Sequence, residues 1–423
     1  MTTLRLPRAD GSLEAVTLGE PRDWVRPDQP FRSRVAFAAA HVVGDPFGDN
    51  TPGAPAVVDW ESTLRFRHHL FSHSLGVAEA MDTAQRGMGL NWAATRELVR
   101  RSAAEAASVG ARIAAGVGTD QLPALAPGST TTLDEVRAAY LEQLGFVEGT
   151  GAQAIVMASR HLAAVASGPD DYLGLYSELL EQAERPVILH WLGPAFDPAL
   201  AGYWGSVRVD EATDTVLQLI TAHADRIDGI KVSLLDADHE RGLRSRLPLR
   251  ADGTGVRLYT GDDFNYPALI KGEEPIRGDG AFGRTDQRDH SDALLGIFAA
   301  IAPAAATALA ALDAGDEAAY DDALAATVPL SRHIFGAPTY HYKVGIAFLS
   351  WVCGHQDSFT MVGGLQSARS LPHLATTLEL ASLAGLIPDP DVAAVRFGRL
   401  AAVQGVEVQG VAVQGVAVGG VDL

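Results

Sequence analysis

Apolar residues in this chain fall into short runs that alternate with amphipathic stretches. Residues 3–18 (TLRLPRADGSLEAVTL) place alternating apolar positions around Ala9-Asp10-Gly11-Ser12, which predicts a small β-hairpin. A polar, proline-containing connector follows from Glu20 to Pro30. From there the pattern predicts buried strands at residues 34–43, 75–80, 111–117, 152–158, 186–192, 227–234 and 255–259. An eighth apolar run, 292–301, fits a strand or a helix equally well. Helical spacing fills the intervals at 59–71, 92–108, 132–144, 170–182, 211–224 and, briefly, 264–271. Asp59 is placed to cap the first of these helices. Thr132, with Glu135 three residues on, reads as a capping box.

Strict alternation of strand and helix predicts an all-parallel sheet, and eight units predict an α/β fold of the closed (β/α)8 (TIM) barrel type over residues 33–302. A doubly wound open sheet is the competitor. It is disfavoured because no Gly-x-Gly-x-x-Gly follows the first barrel strand. The hairpin and connector occupy residues 1–32. After Pro303 the pattern is helical (304–312, 317–335, 341–353 and 373–383), a C-terminal extension over 303–400. Residues 401–423 end in a repeat (VQGVE, VQGVA, VQGVA, VGGVD), read as a low-complexity tail.

Composition narrows the function. The 423 residues are 47% hydrophobic and 20% charged, as in ordinary globular proteins, and carry a net charge of −19. That balance argues against nucleic acid and against a polybasic membrane contact. No apolar run approaches the ~20 residues of a spanning helix, and the opening MTTLRLPRADG lacks the apolar core of a signal peptide. Cys353 is the sole cysteine, so an internal disulfide is excluded. The expected location is cytoplasmic.

Of the 33 basic residues, only Lys231, Lys271 and Lys343 are lysines. Arginine keeps its proton at accessible pH. A lysine whose pKa is lowered by burial can act as an amine nucleophile. Catalytic groups of a barrel stand at the C-terminal ends of its strands. There the sequence offers His41 and Asp45; Glu79, Asp82, Thr83 and Gln85; Thr119 and Asp120; Ser159, Arg160 and His161; His190; Lys231 and Ser233; Thr260, Asp262 and Asp263. His290 and Asp292 join only if the last strand is read backwards.

Lys231, inside the apolar IDGIKVSL, is the leading catalytic candidate: a buried amine suited to Schiff-base formation with a carbonyl. The alternative is a buried lysine paired with a carboxylate such as Asp262. Lys271 reads as a solvated charge after a short helix, and Lys343 as structural. His190 is the second catalytic candidate, as a proton carrier. Asp82, Thr83 and Gln85, with Glu79 and Asp262, are candidates for binding substrate oxygens. No metal motif stands out, and His68-His69 diverge on a helix face.

Several segments resemble the dihydrodipicolinate synthase / N-acetylneuraminate lyase superfamily, in a branch of uncharacterised members. PVILHWLGP is similar to that family's fifth-strand segment, GIKVS to its Schiff-base lysine strand, LYTGDDFNYPALIKG to its seventh-strand Gly-Asp-Asp loop, and SDALLGIFAAIAPAAATALAALDAGD to its eighth strand and following helix. The similarity runs from about Arg34 to Ile387. It implies a (β/α)8 barrel with a helical extension, a homo-oligomer (dimer or tetramer), no cofactor, and Lys231 as the imine-forming residue. Two departures stand out. His190 occupies the family's catalytic tyrosine position. The family's Gly-Thr-Thr/Ser-Gly-Glu carboxylate loop is replaced by Gly76-Val77-Ala78-Glu79-Ala80 and the longer loop after it. Pyruvate as substrate therefore does not follow.

The function expected from the residues and the resemblance together is a class I Schiff-base lyase, aldolase or dehydratase acting on a small carbonyl substrate, an oxo acid or keto sugar. The alternatives are a metal-dependent barrel isomerase or hydrolase, or a catalytically inert barrel used for binding.

Overall fold

The computed structural model describes residues 2–81, 86–126, 128–272 and 289–408. The first alternating segment folds as expected. β1 (Thr3–Pro7) and β2 (Leu13–Thr17) pair antiparallel, Thr3 opposite Thr17 and Pro7 opposite Leu13. Leu4 and Leu6 point inward, and Arg8 reaches Glu379 of the C-terminal extension at 2.6 Å. Burial against that extension gives an otherwise marginal two-stranded sheet its stability.

The eight apolar runs form β3 (Ala36–Ala39), β4 (Gly76–Glu79), β5 (Ile113–Val117), β6 (Gln153–Val156), β7 (Val187–Leu192), β8 (Ile227–Ser233), β9 (Arg257–Thr260) and β10 (Asp292–Leu295). They pair in parallel in chain order, and β10 closes on β3, giving a closed eight-stranded barrel. The ambiguous last run divides between the two possibilities. Asp292–Leu295 is strand, and a short 3-10 turn at Ile297–Ala299 follows.

Helices α1 (Trp60–Phe71), α2 (Trp92–Val109), α3 (Leu133–Gly149), α4 (Arg160–Val165), α5 (Pro169–Gln182), α6 (Val209–Ala222), α7 (Ala237–Arg244) and α8 (Tyr266–Lys271) ring the barrel. The start signals act as read: Asp59 accepts the Ser62 N–H at 3.0 Å, and Thr132 and Glu135 form the reciprocal capping box. Then come α9 (Ala302–Ala314), α10 (Glu317–Ala325), α11 (Thr327–Ile334), α12 (Lys343–Val352), α13 (Leu371–Leu383) and α14 (Pro390–Val403). The single helix expected over 317–335 breaks into α10 and α11. Pro329 has no N–H to give and would clash with the carbonyl four residues back, at Ala325, where α10 stops. Helices α4, α7 and α14 were not expected, although Asp389-Pro390 is a start signal, with Asp389 accepting the Asp391 and Val392 N–H groups at 3.0 Å each.

Two apolar clusters result. One fills the space between sheet and helices. The other occupies the lumen and includes Phe37, Ala39, Ile155, Met157, Tyr259 and Leu294. Many inward positions are alanine or glycine, which leaves room for the larger side chains opposite. Gly76 shows this: a Cβ there would stand 2.6 Å from the Phe37 ring. Among the described residues, no helix is long and apolar enough to cross a membrane. Of the terminal repeat, only residues up to 408 are described.

Candidate active site

Registered neighbours in a parallel sheet point to the same face. His190 on β7 stands beside Lys231 on β8, and Lys231 beside Tyr259 on β9. Tyr259 belongs to the luminal cluster, so all three side chains face the lumen. Lys231 is 7% exposed. A Cβ on Gly261, just past β9, would lie 2.8 Å from Lys231 Cε and 2.2 Å from Ser233 Oγ. Glycine at 261 is thus what lets the chain pass so close to the lysine stem.

An ammonium inside a barrel must be compensated. Asp263, at the start of the loop after β9, lies within electrostatic reach of both Lys231 and Lys343. Burial pushes its carboxyl up to about 7, against the opposing pull of the Ile297 N–H, which donates to Oδ1 at 2.8 Å, and of the two ammonium groups. Lys343 is fully buried at the start of α12, and its Nζ donates to the carbonyls of Ala39 and Ala40, the latter at 3.3 Å. The C-terminal extension therefore reaches the same end of the barrel as Lys231. Lys271 is an ordinary surface cation, 2.7 Å from Asp321 and 3.1 Å from Glu317.

His190 Nε2 is 3.3 Å from Ser233 Oγ, and its Nδ1 has no hydrogen-bond partner among the described residues. Burial, then the Lys231 charge, hold its pKa well below the ordinary histidine value. The ring is therefore neutral at pH 7 and a poor proton acceptor.

Two candidates for binding substrate oxygens are occupied otherwise. Glu79 is registered with Ala115, which faces the outer cluster, so it points at the helices and not into the lumen. There both carboxylate oxygens accept from Arg67 of α1 at 2.8 Å, in a pair with no solvent exposure. Asp262 caps its own turn. Oδ1 accepts the N–H groups of Phe264 and Asn265 at 2.9 and 3.0 Å, and Oδ2 accepts Asn265 Nδ2 at 2.9 Å. Its neighbour Asp263 lies within electrostatic reach of Lys231. Asp82, Thr83 and Gln85 lie outside the described residues. Asp292 begins β10, at the end of the barrel where Arg257 meets it at 2.8 Å, away from the strand ends that carry Lys231's neighbouring loops.

Beside this row, a cavity of about 520 Å³ opens over the ends of β5, β6 and β7. Met157 and Leu192 form its floor, and Thr119, Arg160 and His161 its wall. Met157 follows Val156, which is registered with Leu189, so the cavity floor adjoins His190. A second cavity of about 460 Å³, lined by Arg34, Phe71 and Arg112, lies at the opposite, N-terminal end, which in such barrels serves stability. Among the described residues, no three histidine, cysteine or acidic side chains come together to hold a metal ion.

An all-parallel eight-stranded barrel with a lysine on its sixth strand, facing the lumen, defines the class of this protein as a (β/α)8 barrel. Within that class, the chain belongs to the family described as "Protein of unknown function (DUF993)", which it matches over residues 4–406. No curated protein matches it in sequence. Its fold is similar to solved dihydrodipicolinate synthase family members. YagE, a prophage protein of that family from E. coli K12 solved in complex with pyruvate, has a TM-score of 0.61 at 13% identity, covering 84% of this chain and 99% of its own. The synthase from Acinetobacter baumannii, also complexed with pyruvate, gives 0.57 at 15% identity, covering 84% and 100%. That from Aquifex aeolicus gives 0.56 at 11% identity, covering 89% and 100%. At such identities the likeness is one of fold.

The sequence names Asp263 among the strand-end candidates and Lys343 as structural, but it gives neither of them, nor Gly261, its place at the Lys231 end of the barrel. Asp263 and Asp262 are indistinguishable as letters. Gly261 has a role only because β8 and β9 are neighbours. Lys343 comes from a helix beyond the barrel.

Proposed function

We propose that the protein is a class I Schiff-base lyase acting on a small oxo acid or keto sugar. The observation that carries the reading is the orientation of Lys231: a nearly buried amine facing the lumen, between a neutral histidine and a glycine that makes room for it. The Lys231 ammonium gives up a proton, its free amine adds to a substrate carbonyl, and return of a proton to the resulting hydroxyl lets water leave, giving a protonated imine. In a retro-aldol step that imine takes up the electron pair of the bond between its α and β carbons while the β-hydroxyl gives up its proton, leaving an enamine and a free carbonyl product. In a dehydration, loss of the α proton gives the enamine, whose electron pair then expels the protonated β-hydroxyl as water. The retained fold similarity to pyruvate-binding relatives supports the reaction class. The altered loop after β4 argues for a different substrate.

On this reading the proton traffic belongs to Asp263 more than to His190. A carboxyl near 7 is matched to proton transfer at neutral pH, whereas the His190 ring is held neutral and suits hydrogen-bond donation. The reading carries with it a cytoplasmic, homo-oligomeric enzyme that needs no cofactor. Borohydride trapping with a panel of keto acids and keto sugars, read by intact mass, tests it. The expected result is a reduced adduct on the wild-type chain that is lost in Lys231→Ala. An adduct that persists in that variant, or none with any carbonyl, overturns the assignment.

A further inference from the structure

We infer that Arg160 forms an anion subsite, which takes the carboxylate or phosphate end of the substrate while Lys231 holds its carbonyl. The identity of the other end rests on the Schiff-base reading; the subsite itself does not.

Arg160 opens α4 at the end of β6 and lines the 520 Å³ cavity. Its side chain is 45% exposed, and its Nε donates to Asp197 at 2.5 Å. Asp197 is in turn fixed by the Ala199 N–H at 3.1 Å. One edge of the guanidinium is therefore held, while Nη1 lies across Gly87, 3.4 Å from where a Cβ would stand. Among the described residues, Asp197 is its one ion-pair partner. Arg86 in the same wall is committed: it donates to the carbonyls of Gly116 and Ala80 at 2.6 and 3.2 Å and also pairs with Asp120. Arg160 is thus the guanidinium of this wall that keeps its paired donors for a ligand.

Beside it, Thr119 Oγ1 is 2.6 Å from Ser159 Oγ and 3.0 Å from His161 Nδ1, a buried network bonded within itself that fixes the wall from which Arg160 projects. The floor of Met157 and Leu192 is apolar, and such a floor strengthens a charge-assisted bond made above it. A chain with net charge −19 repels anions in general, so a site for one has to supply its own positive group. The cavity floor at Met157 and Lys231 lie two strands apart, on the order of 10 Å. That span is within the length of a metabolite, with Lys231 lying beyond the residues that line the cavity itself.

The test is calorimetric titration of the full chain, at low ionic strength, with inorganic phosphate and with succinate, glutarate and adipate. The two series distinguish a phosphate from a carboxylate end. Wild-type protein and Lys231→Ala should bind one series with equal Kd, and Arg160→Gln should weaken it by about tenfold or more. Arg160→Lys, which keeps the charge but loses the fork, should weaken it several-fold and serves if the glutamine variant folds poorly. Binding through Arg160 with no adduct at Lys231 would leave the subsite standing and remove the Schiff-base reading. No anion binding by the wild-type chain, or equal binding by wild type and both arginine variants, overturns the subsite even if Lys231 traps a carbonyl.

Discussion

Gly261→Ala is the sharpest perturbation of the site. Gly261 has no positive φ, so an alanine there meets no backbone penalty. Its effect is steric alone. The added methyl would stand 2.2 Å from Ser233 Oγ, 2.7 Å from the Val232 carbonyl and 2.8 Å from Lys231 Cε, against ordinary contacts of about 3.5–4.0 Å. The Val232 carbonyl cannot yield easily, because it accepts the Gly261 N–H at 2.8 Å in the β8–β9 connection. Overpacking of this kind costs about 1–3 kcal/mol, and moving a reacting amine by roughly 1 Å costs about 100-fold in rate. Urea unfolding should therefore show a loss in that range, and the borohydride-trapping rate should fall by about two orders of magnitude. Gly242→Ala in α7, where a Cβ meets nothing within 4 Å, is the control and should be neutral or stabilising by up to about 1 kcal/mol. A Gly261→Ala protein with wild-type stability and trapping rate would mean that Lys231 does not run past Gly261.

Glu79→Ala should destabilise by about 3–5 kcal/mol, because it strands the buried Arg67 charge, while leaving adduct formation at saturating carbonyl unchanged; urea midpoints and trapping check the two parts. Asp262→Ala should cost about 1–2 kcal/mol through the lost turn cap, whereas Asp263→Asn should alter the pH dependence of trapping. Stability should peak near neutral pH, as thermal melts across pH would show. His41, His290 and His373 are held at about 3 by burial, so they bind fewer protons folded than unfolded, and their contribution is lost as pH falls below about 6.5. Asp263 and Glu240, raised by burial to about 7 and about 8, bind more protons folded; they penalise the fold as pH rises from about 4 to 8. Glu240→Gln should flatten the alkaline side, and an unchanged alkaline slope in that variant would refute the assignment.

The chain's own pattern determined the barrel. Alternation of apolar runs with helical spacing is a local property, and each strand carries it without help. The caps at Asp59 and Thr132 were legible for the same reason: a cap is made within four residues. The lysine strand was legible because a lysine between Ile230 and Val232 contradicts its surroundings. Register was not legible. Whether Glu79 faces the lumen or the helices turns on a single residue of strand phase, and its pairing with Ala115 decided for the helices. The roles of Asp262 and Asp263 depended on which side chain closed the local turn and which accepted the Ile297 N–H within electrostatic reach of Lys231. Gly261, Lys343 and the Arg160–Asp197 pair involve contacts between segments distant in sequence or on different strands. The sequence holds those residues, but only closure of the barrel, and the packing of α12 onto it, brings them to one end of the lumen.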